Sequence, residues 1–323
     1  MTTRQTPSSP LVQTDWLAAH LDDPDVRIVD VRFRSRTHGG RGNLVDDRDS
    51  YVAGHIPGAV FVGTVTDLSD PRHRIPDMLV RPEQFAEVMA RLGIADDTLV
   101  VAYDGMGLPL AAARLWWALS YYGHDRVQVL DGGIHKWQAE GRPLSTDVLA
   151  PERATFTPRP RPRWLASKED VASALGHPGI AVVDCLFPDL YHSTESHLWG
   201  SRPGHIPGAV NIPYLANADP ALATTTAAER DRLLGAGRTL TFAPRDTLAA
   251  LYAAANVTPD RAVITYCGRG YSAACGLLAL KVLGYQDVRL YDGSWTEWSA
   301  DPDLPVEVTS AKGAAGAVEQ PGR

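Results

Sequence analysis

Two copies of an α/β domain in tandem, each a mostly parallel sheet with helices on both faces, are what this sequence predicts, and three observations predict them. The segment Gly54-His55-Ile56-Pro57-Gly58-Ala59-Val60 recurs letter for letter as Gly204-His205-Ile206-Pro207-Gly208-Ala209-Val210. Short β-branched runs alternate with helical patterns in the same order in both halves. A chain of 323 residues is long for one hydrophobic core and sufficient for two.

Residues 1–10 are polar, with Thr, Ser and Pro, and read as a disordered tail rather than a secretory signal. The first domain spans 11–149. Its strand Ile28-Val29-Asp30 is followed by the repeated turn at 54–58, a strand at 98–103, a helix over 110–122 that Gly123 stops, and a strand at 127–130 leading to Asp131-Gly132-Gly133 and Trp137. Residues 150–163 are rich in Pro and Arg, which favours a stiff extended linker over a phosphate-binding patch. The second domain, 164–307, repeats the order. Val182-Val183-Asp184 answers the first strand, 261–266 the strand at 98–103, 272–283 the helix with Gly284 as its stop, and 288–291 the last strand before Asp292-Gly293-Ser294 and Trp298. A second disordered tail is expected at 308–323.

Apolar content of 44% and charged content of 21% are those of a globular protein. The formal charge of −7 is spread along the chain, which argues against nucleic acid and membrane surfaces as partners. No run approaches the roughly 18 apolar residues that span a bilayer, so the expected compartment is the cytoplasm. Three cysteines, Cys185, Cys267 and Cys275, have no Cys-x-x-Cys spacing, and neither a disulfide framework nor a zinc site is suggested.

Cys267 is the candidate nucleophile. It ends the strand Ala262-Val263-Ile264-Thr265-Tyr266, and in open α/β sheets reactive groups gather beyond the carboxyl ends of strands. The loop Gly268-Arg269-Gly270-Tyr271-Ser272 then runs into a helix. Two glycines permit a tight curl, inward N–H groups and the positive helix end stabilise an anion on sulfur, and Arg269 adds a cation. A thiol so placed is expected to ionise easily. The plain alternative, a packing cysteine, leaves the glycine bracket and the arginine unexplained; for Cys185 and Cys275, core packing is favoured.

These residues are similar to a known family. The repeated Gly-His-Ile-Pro-Gly, the run Tyr291-Asp292-Gly293-Ser294-Trp295 and the Cys-x-x-Gly-x-Ser loop resemble rhodanese domains, and the chain resembles the tandem-domain sulfurtransferases that use thiosulfate or 3-mercaptopyruvate. The resemblance implies a silent first domain, in which Asp104 stands where Cys267 stands in the second. It also implies sulfur carried on Cys267 as a persulfide, a substrate cradle of Gly268, Arg269, Gly270, Tyr271 and Ser272, and no metal or organic cofactor. The partners would be a small-molecule sulfur donor and a thiophilic acceptor, with a protein acceptor left open.

The loop is a hybrid of two patterns. Thiosulfate users resemble Cys-Arg-Lys-Gly-Val-Thr and mercaptopyruvate users Cys-Gly-Ser-Gly-Val-Thr. Gly268 follows the second, whereas Arg269 supplies a cation suited to a dianion, so thiosulfate is the expected donor and 3-mercaptopyruvate the alternative. Asp77 precedes Met78-Leu79 where mercaptopyruvate users have histidine, and 185–200 lacks the arginines the family carries there. His192, His197 or Arg202 are candidates to compensate. A sulfur relay or sensor that does not turn over is a further alternative. Phosphatases and arsenate reductases need an arginine six positions after the cysteine, and position 273 is alanine. His55 and His205, Asp30 and Asp184, and the tryptophans at 116, 117, 137, 295 and 298 read as structural because they occur as pairs or as core aromatics.

Overall fold

A computed structural model describes residues 8–38, 41–235 and 237–309. Most of both expected tails, 1–7 and 310–323, lies outside the described residues. The first domain contains strands β1 (Leu11–Val12), β2 (Val26–Asp30), β3 (Phe33–His38), β4 (Arg41–Asp46), β5 (Val60–Phe61), β6 (Leu99–Tyr103) and β7 (Val127–Leu130). Its helices are α1 (Thr14–Ala18), α2 (Arg48–Ala53), α3 (Pro82–Arg91), α4 (Ala111–Tyr121) and α5 (Gly133–Ala139). The second domain has β8 (Leu165–Ala166), β9 (Ile180–Asp184), β10 (Val210–Asn211), β11 (Ala262–Tyr266) and β12 (Val288–Tyr291). Its helices are α6 (Lys168–Ala174), α7 (Pro188–Tyr191), α8 (Ala227–Gly235), α9 (Arg245–Ala254), α10 (Tyr271–Leu283) and α11 (Ser294–Trp298).

Each domain is built on a five-stranded parallel sheet, ordered β1-β7-β6-β2-β5 in the first and β8-β12-β11-β9-β10 in the second. The registers match across the repeat: Asp30 lies beside Tyr103, and Asp184 beside Tyr266. Strand alternation divides the apolar side chains between two faces. Ile28, Val101 and Tyr103 face an outer layer with Leu17 and Trp137, while Val29, Val100 and Ala102 face inward. Val182, Ile264 and Tyr266 form the matching outer layer with Trp295 and Trp298. The inward faces of both sheets join one continuous core, in which α4 packs against α10 across the domain boundary. The catalytic-loop candidate therefore starts a helix whose other face belongs to the domain interface.

The structural readings of the repeated motifs hold. His55 and His205 are buried, stack on Tyr51 and Tyr191 with ring centroids 4.1 and 3.6 Å apart, and place Nδ1 2.8 and 2.9 Å from those tyrosines' carbonyl oxygens. Each also forms a two-way backbone bridge to the end of its own domain, His55 with Ser145 and His205 with Glu307. The tryptophans at 116, 117, 137, 295 and 298 are all core residues. Residues 150–161 form no helix or strand and are pinned by the Arg159 and Arg161 N–H groups to the Tyr122 and Tyr121 carbonyls, and a 3-10 turn follows at Pro162–Trp164 that the composition did not suggest.

The halves are not identical, and one departure bears on the site. The β3–β4 hairpin pairs antiparallel from Phe33–Asp46 to His38–Arg41 and has no counterpart among the described strands of the second domain. It brings Phe33 and Leu44 to the mouth of the cavity described next.

Candidate active site

Cys267 follows β11 directly and is 2% exposed at the floor of a cavity of about 420 Å³ between the domains. The backbone curls at Gly270, whose φ of +82° is open to glycine at little cost. That turn aims the Gly270 N–H at the Cys267 sulfur from 3.1 Å. The N–H groups of Ala273 and Arg269 also favour a charged sulfur. Helix α10 begins at Tyr271, so its positive end faces the same point.

Burial nevertheless wins over the cradle. It pushes the Cys267 thiol above its ordinary value, the charge of Asp184 adds to the rise, and the three N–H groups only partly oppose it. The expectation that this thiol ionises easily in the free protein is therefore corrected. Sequence counts the donors around a sulfur, but not the water removed from it.

The cradle is braced from behind by the Asp292-Gly293-Ser294 turn. The Cys267 N–H donates to Ser294 Oγ at 3.2 Å, Trp295 N–H to the Cys267 carbonyl at 2.9 Å, and Thr296 N–H and Oγ1 to the Gly268 carbonyl at 3.2 and 2.8 Å. Ser294 holds φ at +51°, a left-handed strain of about 1 kcal/mol for a residue with a Cβ. At the matching place the first domain has Gly133 at +54°. The serine hydroxyl thus supplies the partner of the Cys267 N–H at the cost of that strain.

The other loop candidates divide. Arg269, Gly268 and Ser272 line the cavity. Gly268 is pressed against Trp199, where a Cβ would stand 2.6 Å from the indole. Tyr271 lines the cavity but turns into the first domain, with its ring 4.9 Å from the Arg114 guanidinium and its hydroxyl 3.4 Å from that of Thr64. The Arg269 guanidinium lies 5.0 Å from the Trp199 ring and forms a 3.1 Å ion pair with Asp77 of the first domain. The three proposed substitutes for the family's arginines lie elsewhere. Arg202 donates to the carbonyls of Trp298, Ser299, Asp301 and Leu304, His192 pairs with Thr309, and burial lowers His197 to about 4.

A second cation beside Arg269 does reach the cavity, Arg230 from α8, which pairs with Asp189 at 2.8 Å and stacks 3.9 Å over Phe187. It was missed because it lies 37 positions before Cys267, in a helix with no motif. The first domain closes the other side with Phe33, Leu44, Met106 and Leu110. Among the described residues there is no cluster of three metal-ligating side chains.

Comparison with known proteins gives the family. The model of the rhodanese-like domain matches residues 13–140 and again 167–301. The chain belongs to the tandem-domain rhodanese sulfurtransferases. It is 35% identical over 297 residues to the 3-mercaptopyruvate sulfurtransferase of Escherichia coli K12, covering 92% of this chain and 97% of that one. To the putative thiosulfate sulfurtransferase of Mycolicibacterium smegmatis it is 33% identical over 311 residues, covering 94% and 99%. The crystal structure of SseA from Escherichia coli superposes with a TM-score of 0.74 at 32% identity, over 89% of this chain and 99% of that one. This chain is thus a sulfurtransferase, and its relatives imply small-molecule sulfur donors and acceptors. No helix among its described residues is long and apolar enough to cross a membrane.

Proposed function

We propose that this sulfurtransferase moves sulfane sulfur from thiosulfate to a thiophilic acceptor through a persulfide on Cys267, with 164–307 as the catalytic domain and 11–149 as the silent one. The Cys267 thiolate attacks the outer sulfur of thiosulfate, the donor S–S bond breaks, and sulfite leaves with the electron pair. A nucleophilic acceptor such as cyanide then takes the terminal sulfur and returns the thiolate. Both steps need a negative charge held at one place, and a cradle that is already formed does this without rearrangement. The observation that carries the reading is the Gly270 N–H directed at the sulfur at the floor of a cavity that also holds Arg269. All three cysteines are unpaired, which suits a reducing compartment, and we place the protein in the cytoplasm.

The test is mass spectrometry of protein incubated with thiosulfate. One added sulfur is expected on the peptide containing Cys267 and none on Cys267→Ser, which should lose transfer by at least about a thousandfold while keeping its fold. Sulfur on Cys185 or Cys275 instead would overturn the assignment. A second reading, with 3-mercaptopyruvate as donor, is favoured by the Asp77 carboxylate on Arg269, which offsets the charge that would attract a dianion. Arg269→Ala separates the two: it should lower kcat/KM for thiosulfate more than for 3-mercaptopyruvate.

A further inference from the structure

Arg269 reaches the cavity already engaged. Its Nη1 donates to Asp77 Oδ2 at 3.1 Å, while its Nε is buried without a hydrogen-bond partner. Asp77 is no incidental neighbour, because its side chain is 7% exposed and its backbone is fixed twice. It holds a left-handed φ of +64°, and its carbonyl accepts a hydrogen bond from Nη2 of Arg114. Arg114 is fully buried, and its Nη1 donates to Asp292 Oδ1 at 2.6 Å. Burial pulls the Arg114 guanidinium down and the charge of Asp292 more than restores it, so it stays a fixed cation. The other Asp292 oxygen accepts the Leu79 N–H at 2.9 Å. The silent domain thus holds a carboxylate at a set position against the one cation of the catalytic loop.

We propose that Asp77 is a positioning residue that sets donor choice: by holding and partly neutralising Arg269, it weakens the pull of the loop on a dianionic donor relative to a singly charged one. This rests on the persulfide reading above and adds to it a residue from the silent domain. A dianion approaching Arg269 meets the Asp77 charge one hydrogen bond behind the guanidinium, and the repulsion acts on both of its charges. A donor with one carboxylate meets about half of it.

Asp77→Asn isolates that charge. Asparagine tolerates the left-handed backbone as aspartate does, and the carbonyl bonded to Arg114 is untouched. With full-length protein and cyanide as acceptor, the variant should raise kcat/KM for thiosulfate about tenfold, mainly through a lower KM, and that for 3-mercaptopyruvate by less than about threefold. The ionic-strength dependence for thiosulfate should steepen. In an Arg269→Met background the same change should leave the donor ratio unmoved. A parallel fall for both donors would make Asp77 an anchor of the loop only, and an unchanged ratio, or a shift that survives in Arg269→Met, would equally overturn the proposal. Should Asp77→Asn fold poorly, Asp77→Gly keeps the backbone angle and reads the same ratio. Failure of wild type to load sulfur on Cys267 from either donor would sink the persulfide reading itself, whereas loading with an unmoved ratio sinks only the role of Asp77.

Discussion

The loops after β6 and β11 begin alike, Asp104-Gly105-Met106-Gly107 and Cys267-Gly268-Arg269-Gly270, and their fourth residues hold φ at +81° and +82°. Each is braced from behind in the same way: Ile134 N–H bonds the Asp104 carbonyl at 3.1 Å as Trp295 N–H bonds that of Cys267, and His135 Nε2 lies 2.8 Å from the Gly105 carbonyl where Thr296 bonds that of Gly268. They part in what they hold. Asp104 accepts N–H groups from Met106, Leu110 and Ala112 at 3.2, 2.8 and 3.0 Å, so its donors are already taken by an anion of the chain itself. Cys267 presents the corresponding ring to a single sulfur. The duplicated cradle closes on a carboxylate in one domain and on a thiol in the other. The filled loop is also longer, since Ala112 lies eight positions after Asp104 and Ala273 six after Cys267, and its Met106 and Leu110 now wall the partner's cavity.

The two glycines offer the sharpest way to break this likeness. A Cβ on Gly270 would stand 2.5 Å from Arg114 Nη1 and 2.8 Å from Asp292 Oδ1, a buried ion pair with no room to yield. On Gly107 it would meet the ends of Leu240 and Leu234 at 3.1 and 3.3 Å, which can turn aside. Both substitutions strain the backbone by about 1–2 kcal/mol. Gly270→Ala should therefore lower kcat/KM by about a hundredfold or more, and Gly107→Ala by less than about fivefold. Equal effects in a steady-state assay with thiosulfate and cyanide would mean that the ion pair beneath the loop is not what holds it.

Much of this architecture was legible from periodicity alone. The repeated heptapeptide, the paired strand ends at Asp30 and Asp184, and the helix stops at Gly123 and Gly284 each leave a local mark, and Gly123 and Gly284 do hold left-handed angles. The loop from Cys267 to Ser272 was legible for the same reason. Asp77 and Arg114 were not, because their roles come from contacts across the domain interface, Asp77 and Arg269 being 192 positions apart and Arg114 and Asp292 178, and Arg230 was not, because it meets Asp189 from 41 positions away. Nothing in the neighbouring residues records such a pairing. The ionisation of Cys267 was misread because burial of its sulfur, which raises the thiol most, leaves no mark in the loop's own residues.

Removing the permanent occupant tests the other side of the comparison. Asp104→Ala strands the N–H groups of Met106, Leu110 and Ala112 in a buried loop, and each unsatisfied group is costly. Burial raises the Asp104 carboxyl, and those hydrogen bonds offset part of the rise. The variant should lose about 2–4 kcal/mol of stability by denaturant unfolding while keeping kcat/KM within about fivefold. Asp104→Asn, which retains one carbonyl oxygen as acceptor, should lose less. A large fall in turnover with little loss of stability would show that the silent cradle acts on the chemistry.

The smallest expected effect separates the paired aspartates that end β2 and β9. Asp30 receives an ion pair from Arg32 at 2.7 Å and the Tyr103 hydroxyl at 2.7 Å. At the place of Arg32 the second domain has Leu186, and Asp184 keeps only hydrogen bonds from the Tyr266 hydroxyl and the Leu186 N–H. Burial outweighs these bonds and raises its carboxyl from 3.8 to about 7. Between those values the folded protein retains a proton that the unfolded chain has lost. The contribution of Asp184 to stability is therefore largest at low pH, declines as pH rises from about 4 to about 7, and is level above. Urea unfolding of wild type and Asp184→Asn at pH 5 and pH 8 should show wild type losing stability relative to the variant as pH rises. Because the Asp184 charge also raises the Cys267 thiol, the variant should alkylate with iodoacetamide at a lower apparent thiol pKa. A stability difference that stays constant with pH would place the proton elsewhere and leave Leu186 without the consequence that its replacement of an arginine implies.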